Sequence, residues 1–246
     1  MLPYGCLLAT ALGLFLVSGF LGPQFLGFSL RNARPGLRLW AWLGGLYSLA
    51  FSSLTALACL AVLIGSGWSN SSKANRGLGD LWYLVLVSAL PYIALASLGI
   101  LIASAITKLQ PAVAAAKETT DLLLLKSRES ETFRGIPVRI LEANHPAAAL
   151  VVVENQPSIL ITRGATIDLS KEELDAVLWH ELGHALGRHN SLNRLARVAC
   201  VLTPWLPLTR DLSTVVEHSC EEIADRFALK HASMDALLGA KSKFKF

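Results

Sequence analysis

Charge is what the first part of this sequence lacks. Residues 1–107 hold a single acid, Asp80, and five bases, Arg31, Arg34, Arg38, Lys73 and Arg76. The runs Met1–Leu30, Leu39–Gly65 and Leu81–Thr107 contain no Asp, Glu, Lys or Arg at all. Each is longer than the ~20 apolar residues that cross a bilayer core. Three transmembrane helices are therefore expected, near Leu7–Phe25, Leu39–Ile64 and Leu81–Ile106. Pro91 and several glycines interrupt them, which membrane helices tolerate. The spans carry no charged side chain, so an ion pathway has no obvious carrier, and this argues against a transporter. The first run also lacks a basic leader and an A-x-A-like exit, so it is expected to stay as an uncleaved span.

Cysteine is scarce as well. Cys6, Cys59, Cys200 and Cys220 form no C-x-x-C pair, which excludes a disulfide framework and a cysteine-type zinc site. The net charge of +4 comes wholly from the flanks of the apolar runs, because residues 108–246 hold 17 basic and 17 acidic groups. No basic stripe exists for a phosphate backbone, so no nucleic-acid partner is expected. The three arginines of "SLRNARPGLR" place the first loop on the cytoplasmic side. With three crossings, the chain after Lys108 is expected in the cytoplasm, as the catalytic part of a multi-pass cell membrane protein.

Residues 1–107 thus read as a transmembrane region and residues 108–246 as a catalytic domain. "TKLQPAVAAAKETTDLLLLKSRE" has an amphipathic helical pattern. Strands follow in "IPVRILEA", "ALVVVEN" and "SILITRG", with Gln156-Pro157 as the expected hairpin turn, giving about three strands. Ser170 and Glu173 spell a capping box, so a helix is expected from Lys171 to about His189, with a core stripe of Leu174, Leu178, Leu182 and Ala185. Pro204 and Pro207 break the short uncharged run Val198–Thr209, which is too short to span. A last helix is expected from about Leu212 to Lys230, and the basic tail "GAKSKFKF" is expected to be loose.

The stretch "WHELGHALGRHN" carries the chemistry. On a helix, His180 and His184 lie one turn apart on one face and can share a metal ion. Glu181, displaced around the helix, can reach a water on that metal and act as its base. Catalytic zinc takes three protein ligands and keeps a position open, and the last helix offers Glu217, Glu221, Glu222 and Asp225. Spacing alone does not choose between Glu217 and Glu221. Two imidazoles and a carboxylate favour zinc among divalent metals. Gly183 and Gly187 border the ligand face, where small residues let another segment approach. His189 and Arg188 at the helix end are explained by a contact with the C-terminal dipole.

"HELGHALGRH" followed by "EEIADRFAL" resembles the gluzincin membrane metallopeptidases, both the HtpX and CAAX-prenyl-protease kind and the beta-lactam-sensor (BlaR/MecR-type) kind. The spelling "HELGH" leans toward the HtpX group, whereas "LTPWLPLTR" is similar to a short segment of the beta-lactam sensors. The resemblance covers about residues 135–230 by motif. It implies a mainly α membrane protein with a small α+β zincin-type metallopeptidase domain. The E-x-x-A-D motif, matched by Glu221-Glu222-Ile223-Ala224-Asp225, implies Glu221 as third ligand, with Asp225 holding a ligating imidazole by its other N–H. The expected function is zinc-dependent endopeptidase of membrane or membrane-proximal proteins, in quality control or regulatory proteolysis. A membrane sensor or scaffold with a structural zinc site is the alternative. The expected partners are a polypeptide substrate and the lipid bilayer. Ser158–Thr162 is expected to be the edge strand that pairs with substrate. His231, His218 and Arg226 are available as oxyanion stabilisers, and nothing in the sequence assigns one. Ligation by both His184 and Glu221 also requires an even number of crossings between them, so the proline-broken run must be re-entrant, superficial or part of the folded domain.

Overall fold

The computed structural model describes residues 2–71, 78–153 and 156–244; the side chains of 2–3, 64–88 and several positions between 90 and 105 lie outside the described set. The chain forms two compact units, Met1–Leu109 with Val198–Ser213, and Gln110–Arg197 with Thr214–Phe246. Among the described residues it is mostly helical, with one four-stranded sheet.

The first unit holds α1 (Leu2–Leu16), a π-helical turn (Val17–Leu21), α2 (Gly22–Ser29) and α3 (Pro35–Ser71). Tyr4–Ser29 and Pro35–Leu63 are long and apolar enough to cross a membrane by length and composition. The third expected span falls within α4 (Leu78–Leu125), and the side chains of much of that run are outside the described residues. α1 packs on α3, and the chain after α1 is joined to α3 by a 2.9 Å hydrogen bond between Ser18 and Ser48. Close packing of small and hydroxyl residues is how apolar helices associate without a hydrophobic drive of their own.

The proline-broken run belongs to this unit. α7 (His189–Leu202) ends in a turn that Thr209 closes, donating to Thr203 C=O at 2.6 Å. α8 (Pro207–Ala228) then starts earlier than its apolar stripe predicts, with proline at the first helical position, where its missing N–H costs nothing. Leu206 and Leu208 are fully buried. A Cβ at Gly19 would press on Leu206 at 3.1 Å, and one at Gly45 on Leu208 at 3.2 Å, so these two glycines are the sockets for the two leucines.

The second unit is built on a sheet in the order β1-β2-β4-β3. It contains one strand more than expected, β1 (Ser127–Phe133), which pairs antiparallel with β2 (Ile136–Leu141). Arg134 and Gly135, with φ of 50° and 86°, form the two-residue link between them, the left-handed geometry that matches strand twist in tight hairpins. β4 (Gln156–Thr162) runs parallel to β2 and antiparallel to β3 (Ala148–Val153). Gln156-Pro157 is therefore the start of β4 rather than a turn, and the two residues between β3 and β4 lie outside the described residues. Ser158–Thr162 is not an edge: β4 is hydrogen-bonded on both sides, which is why every residue from Ser158 to Thr162 is buried. The edge nearer α6 in the chain is β3.

α5 (Arg163–Asp168) leads to α6 (Lys171–Leu186). Leu178, Trp179 and Leu182 of α6 pack with Val138, Ile159 and Ile161 of the sheet, while Ala228 and Leu237 join the same core from α8 and α9 (Met234–Lys243). α9 corrects the loose-tail expectation. Ser233 caps it by accepting from Ala236 N–H at 3.2 Å, and Ala240 is fully buried.

Candidate metal centre

α6 starts with both halves of the capping box in place. Ser170 Oγ accepts from Glu173 N–H at 3.2 Å, and Glu173 accepts from Ser170 N–H at 2.7 Å. The helix is flanked on more sides than its apolar stripe implies, so Glu181 and His184 are buried along with Leu178 and Leu182. Gly183 permits this. A Cβ there would stand 3.1 Å from the Cα of Ala224, so α8 crosses α6 at backbone contact.

That crossing brings three groups together. Nε2 of His180 and Nε2 of His184 lie 3.0 Å apart. Glu221 of α8 reaches both, Oε2 at 3.4 Å from His180 Nε2 and Oε1 at 3.4 Å from His184 Nε2. The three donor atoms all lie within 4.8 Å of one another. Glu217, one turn earlier on α8, is exposed and is not in this group.

Each imidazole is backed on its far nitrogen. His180 Nδ1 lies 2.9 Å from Asp225 Oδ1. His184 Nδ1 lies 2.9 Å from Nδ1 of His189, which is 1% exposed. His189 does more than meet the dipole at the helix end: the backbone turns at Gly187 and Arg188, the latter at φ 51°, and the His189 ring lies against Gly187 of α6's end. A Cβ at Gly187 would collide with that ring. The signal available in the sequence was a glycine two residues before a histidine, just past a pair of potential ligands.

The electrostatics follow from these contacts. Burial and the charge of His184 push His189 down to about 4, so it is neutral and free to accept the N–H of His184 at Nδ1. Burial disfavours the charged form of His180, but the Asp225 and Glu221 carboxylates outweigh it and push the ring up to about 9. Hydrogen bonds from the two imidazoles hold Glu221 well below the usual carboxylate range, with burial opposing. Two ring nitrogens and a carboxylate oxygen thus converge on one point, where a bound cation would take the place of the ring protons that Glu221 now attracts. A divalent cation fits that donor set, and zinc fits it best.

Glu181 sits beside this group, 8% exposed. Burial raises its carboxyl above the usual range, and the Leu150 backbone N–H of β3 donates to it. Asn190 Nδ2 donates to the C=O of the same residue at 3.3 Å. The three oxyanion candidates are engaged or exposed elsewhere. His231 stacks on Trp179 with centroids 3.7 Å apart, His218 pairs with Glu222 at 2.9 Å, and Arg226 is exposed.

Residues 137–239 match the family model described as peptidase family M48. This span takes in β2 to α8, with every group of the centre, and the first part of α9. No curated protein matches the chain.

Proposed function

We propose that this chain, which through residues 137–239 belongs to the gluzincin-type M48 metallopeptidases, is a membrane-anchored zinc endopeptidase that cuts membrane or membrane-proximal proteins. The observation that carries the reading is the convergence of His180, His184 and Glu221 within 4.8 Å, beside a buried Glu181. His180, His184 and Glu221 would hold the zinc, which when bound would polarise the scissile carbonyl and acidify a water. Glu181 takes the proton of that water on its carboxylate and delivers it to the leaving nitrogen. Its raised affinity for a proton suits both halves of the transfer, because a base poised nearer neutrality both accepts and returns. Asp225 and His189 keep the two imidazoles turned inward. Substrate backbone pairs with β3, the edge strand whose Leu150 touches Glu181.

Anchoring is supported by the surface of the first unit. Phe25, Phe28, Trp40 and Tyr47 are each at least 70% exposed on helices long enough to span. Such a continuous apolar surface suits lipid far better than water. Cleavage of casein by detergent-purified protein tests the enzyme. Glu181→Gln is expected to lower the rate by at least ~10²-fold, the scale of a lost general base, while still binding zinc, and His184→Ala is expected to lose zinc as well. Equal proteolysis by wild type and Glu181→Gln sinks the proposal and leaves a sensor or scaffold.

A further inference from the structure

The C-terminal helix α9 lies outside the groups used so far, yet two of its lysines reach the helices that carry the ligands. Lys243 Nζ lies 2.5 Å from Glu173 Oε2 and donates to Asp168 C=O at 3.1 Å, which ties α9 to the capping box of α6. Lys241 Nζ lies 2.6 Å from the carboxylate of Asp225 on α8. Asp225 Oδ1 in turn stands 2.9 Å from His180 Nδ1. The line Lys241–Asp225–His180 therefore runs from the C-terminal helix to a group of the metal centre.

The backbone leaves Lys241 little choice of position. Leu237 and Ala240 are buried on one side of α9, Ala240 against Ala165, Leu169 and Val177. A Cβ at Gly239 would collide with Glu173, so the helix lies close against the start of α6. Asp225 is only about a third exposed, and its Oδ1 has both His180 Nδ1 and Lys241 Nζ within reach. A carboxylate held by a single contact to an imidazole can rotate away from it; the ammonium, within reach of both carboxylate oxygens, opposes that rotation.

We propose that Lys241 is a positioning residue of the metal centre: it holds Asp225 against His180 and thereby sets how tightly the centre grips a divalent cation. This rests on the reading of the centre as a zinc site. Charge alone makes the opposite prediction. Removing a cation from the neighbourhood of a metal site strengthens binding of a second cation, so the sign of the change separates holding Asp225 from simple repulsion.

The test is a zinc titration of the full-length protein in detergent, in competition with a chromophoric chelator, with melting temperature recorded alongside. Lys241→Met is expected to weaken zinc binding roughly tenfold, Lys241→Arg to stay within about twofold of wild type, and Lys243→Met to lower the melting temperature with affinity unchanged. Lys241→Gln carries the same expectation as the methionine variant should that one fold poorly. In an Asp225→Asn background, Lys241→Met is expected to add nothing, because the two act as one unit. Affinity that is unchanged or tighter in Lys241→Met, while His184→Ala abolishes binding, overturns this inference alone. A wild-type protein that binds no zinc, or binds it equally in His184→Ala, overturns the zinc reading together with it.

Discussion

Gly187 lacks a side chain because of what happens two residues later. The His189 ring occupies the space where a Cβ would be, and from there its Nδ1 meets His184 Nδ1 at 2.9 Å. On the proposed zinc reading, His189→Ala removes the ring that backs His184, and zinc affinity is expected to fall by roughly 10–100-fold in a chelator competition. Gly187→Ala suits the backbone, since φ there is −75°, and alanine is the better helix former. Its expected loss of affinity therefore reports displacement of the ring, and the double variant is expected to be no worse than His189→Ala alone. A double variant markedly weaker than either single variant contradicts this coupling. The centre was legible in part. His180, Glu181 and His184 follow from helical periodicity alone, and Glu221 from the resemblance of its motif. His189 was hidden because its contact needs a left-handed residue at Arg188 that no spacing rule encodes, and Lys241 because its tail looked like an unstructured basic end.

At the scale of elements, the centre depends on how closely two helices cross. Gly183 puts α8 at backbone contact with α6, and Glu221 sits one helical turn from Ala224 at that contact. Gly183→Val is expected to push the helices apart, costing ~1–3 kcal/mol of stability by overpacking and releasing zinc, as a melting curve and metal analysis will show. The start of α6 carries a pH signature. The hydrogen bond from Lys243, then those from Ser170, hold the Glu173 carboxyl below its usual range, with burial opposing. A lowered value in the folded state gives stability that is present above the unfolded value, ~4.3, and lost as pH falls through the folded one. The melting-temperature gap between wild type and Glu173→Gln is therefore expected to close as pH drops below that value, and a gap constant with pH counts against the assignment. The capping box of α6 was readable residue by residue because it is local. The central place of β4 was not, because its parallel partner β2 is set by a crossover rather than by the adjacent hairpin, and alternation along one strand does not say how many neighbours it has. β1 was missed because "SRESETF" is polar and exposed; its pairing with β2, not its own pattern, makes it a strand.

The whole molecule does not divide at one point in the sequence. The two ligand helices belong to one unit, while Val198–Ser213, which lies between His184 and Glu221 in the chain, packs with Met1–Leu109. Leu206 and Leu208, 1% and 0% exposed, meet the first unit's helices at Gly19 and Gly45. Full burial of a leucine contributes about 1.5–3 kcal/mol, so a chain starting at residue 110 loses several kcal/mol of packing and bares both leucines beside the already exposed Trp205. An exposed apolar patch of that kind drives association. The truncated chain is therefore expected to aggregate without detergent on size-exclusion chromatography, and Leu206→Ser with Leu208→Ser to restore a monomer. The same double substitution in the full-length chain is expected to lower its melting temperature, since there the two side chains have apolar partners. A truncated chain that runs as a soluble monomer unaided would show that the segment closes on itself, and that the first unit's helices add nothing to the burial of these leucines.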